Sequence, residues 1–235
     1  MNLFYLPEIN NPDLFFDEEE SRHCVKVLRL KEGDLVDLTD GKGGMYKGTI
    51  IDASLKRCSL HLNMDEINKR ERDYYLHIAI APPKNPARME WFLEKATEIG
   101  ISEITPIICD HSERMKFNTG RYQKIIISAM KQSLQSWLPV INEPRPIRNF
   151  LDQQFQGQKF IASCETGKEA KLRSLFRSGI ATTIMIGPEG DFSVTEIKLA
   201  QKAGFVPVNL GKNRLRTETA GIVSCTIVGI MNQEK

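Results

Sequence analysis

Long apolar runs are missing from this sequence of 235 residues: nowhere do about 18 uninterrupted apolar residues occur, the length a membrane-spanning helix needs. Near the start, acidic residues stand where a secretory leader carries basic ones, so the expectation is a soluble, cytoplasmic protein with no membrane partner. Cysteine is sparse and scattered. The five thiols, Cys24, Cys58, Cys109, Cys164 and Cys225, form no C-x-x-C pair and are odd in number, which encodes neither a disulfide framework nor a zinc knuckle. They are expected to be buried thiols. The four histidines, His23, His61, His77 and His111, lack ligand spacing such as H-E-x-x-H, so no metal is expected.

Excess charge of one sign is missing too. With 32 basic and 30 acidic residues the chain carries +2, far from the balance of a simple nucleic-acid coat. The total conceals an asymmetry: residues 1–72 hold 11 basic and 14 acidic groups, and the remainder 21 and 16. Any nucleic-acid contact must therefore come from local patches.

What is present divides into two patterns. Up to about residue 72, short strand-like runs, Leu35 to Leu38, Tyr46 to Ile51 and Arg57 to Leu62, alternate with turns and predict a small, mostly β domain. Asp40-Gly-Lys-Gly-Gly44 could be a phosphate loop, but a strand follows it rather than a helix, which favours a hairpin turn. The charge-rich segment Asp65 to Asp73 marks the boundary, giving domains 1–72 and 73–235. Beyond it, runs at Tyr75 to Ala81, Ile104 to Cys109, Phe160 to Ser163, Thr182 to Ile186 and Val206 to Leu210 alternate with helical patterns, the signature of an α/β fold. Helices are predicted from Pro86 to Gly100, with Met89, Phe92, Leu93, Ala96 and Ile99 on the core face, from about Gly120 to Trp137, and from about Glu218 to Met231.

Two loops concentrate chemistry. Ile186-Gly-Pro-Glu-Gly-Asp-Phe-Ser193 follows a strand, its glycines let backbone N–H groups approach a ligand, and Ser193 to Glu196 is a capping box opening the next helix. Open α/β sheets bind ligands at this edge, although a tight strand-to-helix turn would read the same way. Leu210-Gly-Lys-Asn-Arg-Leu-Arg-Thr-Glu-Thr-Ala220 is harder to explain by packing, since it sets Arg214, Arg216, Glu218 and two hydroxyls before an apolar helix.

Together these loops resemble the RsmE family of ribosomal RNA uridine-N3 methyltransferases, knotted enzymes of the SPOUT class. The likeness rests on Gly187-Pro-Glu-Gly190 with Phe192-Ser193 and Glu196, then Leu210-Gly211 and Leu215-Arg-Thr-Glu-Thr-Ala220. It extends through Lys95 to Gly100, Ile104 to Pro106, Gln132-Ser133 with Pro139, and His23 to Arg29 with Gly33 and Asp40-Gly41, nearly the whole chain. Three places depart from the pattern: Asp191 where Gly is usual, Gln135 where Arg or Lys is usual, and Asn213-Arg214 in place of Arg-Ile. Loss of a basic residue at 135 removes one RNA contact, whereas Asp tolerates a positive φ better than most residues.

The resemblance implies an N-terminal PUA-like β-barrel for RNA and a C-terminal SPOUT domain with a mainly parallel sheet, whose deep trefoil knot holds S-adenosylmethionine. It implies a homodimer, with the apolar last helix buried between knot and partner. The implied cofactor set is Ile186, Gly187, Pro188, Glu189, Gly190, Leu210, Gly211, Leu215, Thr217, Glu218, Thr219 and Ala220, a lining of backbone and apolar groups suited to a sulfonium with an adenine ring. The implied activity is methylation of one uridine of 16S ribosomal RNA within the small ribosomal subunit. Uridine N3 is a poor nucleophile until its imino proton leaves or the anion is stabilised, so a base or cation is required. Arg216 is assigned the cationic, substrate-orienting role, against the alternative of a salt bridge to Glu218 or Glu189. Glu218 is a candidate base, with loop ordering as the alternative. For RNA, Arg22, His23, Lys26 and Arg29 fall along one helical side and suit phosphate contacts, or else form a solvated face. Arg114 and Lys116 lead a second basic patch with Arg121, Lys124 and Lys131. Competing readings are a knotted methyltransferase acting on transfer RNA or another ribosomal site, a non-catalytic RNA-binding assembly factor, and a nicotinamide dehydrogenase, the last opposed by the missing G-x-G-x-x-G.

Overall fold

Alternating apolar residues and glycine-rich turns build a curved sheet first. The structure, a computed structural model, describes residues 2–63, 67–113, 117–163 and 169–233. By their contacts they divide into two units, one of residues 1–72 with 130–138 and one of 73–129 with 139–235.

In the first unit β1 (Leu3–Tyr5), β2 (Asp13–Phe15), β3 (Leu35–Thr39), β4 (Gly44–Asp52), β5 (Ser59–Leu62) and β6 (Asn68–Lys69) form one sheet in the order β1-β3-β4-β5-β2, with β6 also on β4. All pairs are antiparallel except β1 with β3. The Asp40 loop is the predicted hairpin turn. Asp40 Oδ1 accepts from the backbone N–H of Lys42 at 2.7 Å and of Gly44 at 2.9 Å, and Gly43, at φ +96°, leaves no room for a Cβ beside Trp137. Phe4, Phe16, Cys24, Leu38, Ile50, Cys58, Leu60 and Leu62 fill the core. Between β2 and β3 the chain forms α1 (Glu18–Arg22), capped by Asp17, which widens into a π-helical turn over His23–Val27 where the sequence suggests a regular helix.

Residues 130–138 join this unit although they are remote in sequence. The helix expected to reach Trp137 stops at Gln132, Leu134 takes φ +55°, and Ser136 O accepts from the Gly43 backbone N–H at 2.9 Å. Lys131 pairs with Glu20 and Trp137 Nε1 donates to Arg70 O at 3.1 Å. The units are thus discontinuous in sequence, and a single cut after residue 72 leaves the 130–138 segment behind.

The second unit is α/β. Its sheet contains β7 (Leu76–Ile80), β8 (Glu103–Ile108), β9 (Val140–Ile141), β10 (Arg145–Pro146), β11 (Gln158–Ala162), β12 (Ala170–Lys171), β13 (Thr182–Ile186) and β14 (Val206–Asn209). The order is β10-β8-β7-β13-β11-β14-β12, with β9 on β8, and every pair is parallel. Central β7 and β13 are buried at every position, as parallel strands covered on both faces must be.

The helices are α2 (Pro86–Ile99), α3 (Thr119–Gln132), α4 (Ile147–Leu151), α5 (Leu172–Leu175), α6 (Val194–Lys202) and α7 (Thr217–Gln233). Pro86 sits at the first position of α2 behind an Asn85 cap, and Gly100 ends the helix at φ +109°. Against α2 lies α7. Gly221 permits their close approach, because a Cβ there would stand 2.5 Å from the Phe92 ring. Cys24, Cys58, Cys109 and Cys225 are buried free thiols, and Cys164 lies outside the described residues. No helix of the described residues is long and apolar enough to cross a membrane.

Candidate active site at the carboxyl edge of the parallel sheet

Strands β7 and β13 are neighbours in parallel register, so the loops that leave their carboxyl ends emerge side by side. After β13, Gly187 packs against the Phe192 ring, where a Cβ would come within 3.0 Å. Asp191 takes φ +63°, as the tolerance of Asp allows, and its Oδ1 accepts from the Phe192 N–H at 2.8 Å. The expected capping box forms: Ser193 Oγ accepts from the Glu196 N–H, and the Glu196 carboxylate accepts from the Ser193 N–H at 2.8 Å. Glu196 also accepts from the Asp110 N–H at 2.8 Å, and Ser193 Oγ donates to Asp110 at 2.6 Å. The loop after β8 is thereby pinned to the loop after β13.

The loop after β14 joins them. Buried Thr217 donates its hydroxyl to Gly187 O at 3.0 Å, tying the first turn of α7 to the first residue past β13. Glu189 Oε1 accepts from the Lys84 N–H at 3.0 Å, and Glu189 O accepts from Arg214 at 3.2 Å. Within the expected cofactor set, Ile186, Gly187, Pro188, Thr217 and Glu218 are buried. Leu210, Leu215, Thr219 and Ala220 are half-buried, while Glu189, Gly190 and Gly211 are exposed. The structure therefore brings the whole set to one edge of one unit.

Neither Glu218 nor Glu189, the alternative partners of Arg216, takes it. Arg216 is exposed and makes no ion pair among the described residues, whereas Glu218 is buried and faces Arg88, with Nε 3.6 Å from Oε1. Glu218 Oε2 is buried and has no hydrogen-bond partner among the described residues. Gly211 has φ +153°, and none of the described residues comes within 4 Å of where a Cβ would lie, so they leave space beside this loop. A small ligand with apolar walls, backbone partners and one hydrogen-bond donor fits such a place. No cluster of His, Cys, Asp or Glu able to hold a metal occurs among the described residues.

Sequence reasoning missed Arg88. It stands one turn before Phe92, at the rim of the face read as core, and only the position of α7 reveals its partner. Of the basic residues expected to meet RNA, Lys26 and Arg29 are exposed and Arg29 holds φ +57°. Arg22 pairs with Glu18 at 2.6 Å, and His23 stands edge-on to Phe4. Arg114 and Lys116 lie outside the described residues. The rest of that second patch is partly committed elsewhere: Arg121 pairs with Glu90 at 2.8 Å and Lys131 with Glu20.

Comparison with known proteins places this geometry. An RNA methyltransferase domain model matches residues 70–229, and an RNA methyltransferase PUA domain model matches residues 16–62. A parallel sheet with glycine loops at its carboxyl edge, joined to a PUA-like unit, is thus that of an RNA methyltransferase. A ribosomal RNA small subunit methyltransferase E from Rickettsia conorii is 31% identical over 89% of this chain and 86% of its own length. Among solved structures, a probable rRNA-methyltransferase from Porphyromonas gingivalis is 38% identical with a TM-score of 0.91, covering 99% of both chains. A ribosomal RNA small subunit methyltransferase E from Neisseria gonorrhoeae, bound to S-adenosyl methionine, is 29% identical with a TM-score of 0.85, covering 96% of this chain and 95% of its own. The chain belongs to the ribosomal RNA small subunit methyltransferase E family.

Proposed function

We propose that this protein transfers the methyl group of S-adenosylmethionine to N3 of a uridine in 16S ribosomal RNA, acting on the small subunit as a homodimer. The observation that carries the reading is the Thr217 hydroxyl bond to Gly187 O, which joins the two glycine loops beside an unsatisfied buried carboxylate. On this reading the 187–193 and 210–216 loops are those that a trefoil-knotted chain wraps around its cofactor. Ile186 to Gly190, Leu210, Gly211, Leu215 and Thr217 to Ala220 hold the cofactor through backbone and apolar contacts. The cofactor supplies an activated methyl.

The chain's own groups do the rest. Arg216 reaches the target uridine and stabilises the negative charge that develops on O2 or O4 as the N3 proton passes to a base, the role for which Glu218 is the candidate. Glu218 accepts a hydrogen bond inside the site. Residues 1–72 form the RNA-binding domain, where Arg22, His23, Lys26 and Arg29 meet phosphates that position rather than specify, with Arg114 and Lys116 as further contacts. The target base is flipped out of its stack to reach the pocket. Residues 73–235, less the 130–138 segment that packs with the first unit, form the methyltransferase domain, and the apolar face of α7 supports the dimer.

The experiment is to incubate the protein and methyl-labelled S-adenosylmethionine with small subunits from cells lacking the gene, then digest the RNA and weigh the labelled nucleosides. Label in 3-methyluridine at one site is expected. Protein that binds the cofactor but leaves these subunits unlabelled would move the substrate elsewhere, with transfer RNA next in line.

A further inference from the structure

We infer that Arg88 is a positioning residue for methyl transfer, holding the Glu218 carboxylate so that its buried second oxygen accepts a hydrogen bond from the bound ligand. The inference rests on the reading of this sheet edge as the methyl-transfer site. Glu218 lies in the first turn of α7, and its side chain retains only 9% of its exposure. A carboxylate so far from water is costly unless its charge is balanced and its lone pairs are used. Arg88 balances the charge. Its Nε stands 3.6 Å from Oε1, close enough for strong attraction yet longer than a hydrogen bond. The other oxygen, Oε2, has no hydrogen-bond partner among the described residues.

Such an atom is rare in a folded protein, and a ligand donor is a recognised reason for one. The donor is an N–H or O–H group, which either the cofactor's amino and ribose groups or the substrate's imide can supply. Several charged groups on α2 and in the neighbouring loops are engaged elsewhere. Lys84 pairs with Glu113 at 3.1 Å, Glu90 with Arg121, Lys95 with Glu94 and Glu98, and Arg214 with the Glu189 carbonyl. Arg88 is therefore the cation committed to Glu218, while Arg216 remains for the substrate.

The register of two helices enforces this pairing. Phe92 stands one turn beyond Arg88 on α2, and Gly221 stands three residues beyond Glu218 on α7. The Phe92 ring occupies the space a Gly221 side chain would need, so the helices lie close and Arg88 meets Glu218 one turn away. Glu218 also lies in the first turn of its own helix, where partial positive charge favours a carboxylate.

The test compares wild type with Arg88→Met, Glu218→Gln, the double variant and Arg88→Lys. Cofactor affinity is read by calorimetry, kcat and KM on small subunits, and folding by thermal melting. Each of the first two single variants is expected to lose at least about tenfold in cofactor affinity or in kcat. The double variant should lose no more than the worse single one, and Arg88→Lys should recover to within about threefold of wild type. Loss of affinity identifies the donor as the cofactor's, and loss of kcat with affinity and KM retained identifies it as the uridine's. Arg88→Met within twofold of wild type in both quantities, or losses that multiply in the double variant, would overturn the inference. If Arg88→Met fails to fold, the Arg88→Gln variant takes its place in the same cycle. Should even wild type leave the small subunit unmethylated, the functional reading fails alone, because the cycle is still read in the cofactor titration; a titration unchanged by the variants then overturns the pairing too.

Discussion

The two ends of β7 hold polar clusters of opposite character. At the amino end buried His77 has Nε2 2.7 Å from Thr105 Oγ1 and 3.8 Å from Glu103, with the Phe150 and Phe155 rings beside it. Asn142 donates to Glu103 at 2.6 Å and to Thr105 at 2.8 Å, and Tyr75 donates to Glu103. At the carboxyl end, among the described residues, Glu218 keeps a buried oxygen without a partner, Gly211 has space beside it, and Arg216 makes no ion pair. A cluster that satisfies itself contributes to stability, and the incomplete one is, on the proposed reading, completed by a ligand. Burial alone would not have separated them.

The comparison is broken most severely by prying open the carboxyl end. In Gly221→Leu even the first added carbon would meet the Phe92 ring at 2.5 Å, so α2 and α7 must separate. We expect a loss of about 3 kcal/mol, toward the upper end for overpacked cores. Denaturant titration measures it, and a variant as stable as wild type would show that the helices yield freely.

Acid probes the amino end next. Burial lowers the His77 pKa to about 4, with Glu103 opposing and Arg145 reinforcing that change. An unfolded histidine titrates near 6.5, so the unfolded chain binds more protons between these values. Stability is therefore full above about pH 6.5 and declines as pH falls toward 4. Glu103 adds the same sign: burial raises its pKa, but His77, Tyr75, Asn142 and Arg145 together hold it below the ordinary value, so its contribution also disappears in acid. A fall on the order of 2 kcal/mol across that window is expected, because each tenfold difference in proton affinity between the folded and unfolded chain is worth about 1.4 kcal/mol. Melting temperatures of wild type and His77→Gln from pH 7 to 4 would show it, the variant having the shallower slope. Equal slopes would locate the acid sensitivity elsewhere.

Arg216→Ala leaves both clusters in place and removes only the exposed cation proposed to meet the substrate. Methyl transfer should fall at least about tenfold, near 1.4 kcal/mol, with cofactor affinity almost unchanged. Equal loss of cofactor binding by calorimetry would instead place Arg216 in the cofactor site.

How much of this is legible in the sequence depends on whether the signal is local. The five main strands of the α/β unit, Pro86 and Gly100 at the ends of α2, the Asp40 hairpin and the Ser193 capping box all follow from neighbouring residues, and all appear. The glycine loops can likewise be recognised from their own spacing. Arg88 cannot, because its function is set by a helix that begins 129 residues later. Trp137 and Lys131 are equally opaque. Their apolar and basic characters suit a continued helix and a basic rim, yet Trp137 donates to Arg70 O and Lys131 pairs with Glu20. Short strands such as β6, β9, β10 and β12, of two residues each, carry too little periodicity to be read at all.

The smallest effect belongs to Asp191, where this chain departs from the glycine usual in the resemblance. At φ +63° an L side chain is strained, which favours glycine there. Two local bonds offset that strain, since Asp191 Oδ1 accepts from the Phe192 N–H and Asp191 O lies 2.9 Å from His111 Nδ1. Replacing Asp191 by glycine removes the strain and the first of these bonds, and it loosens the unfolded chain, which costs a few tenths of a kcal/mol in the opposite sense. Asp191→Gly should therefore change stability by less than about 1 kcal/mol. Asp191→Val keeps the strain, adds a β-branch and loses the bond, so it should be the worse of the two. Thermal melting of both variants decides the matter: a Val variant as stable as the Gly variant would mean that the loop changes its backbone conformation rather than holding φ positive.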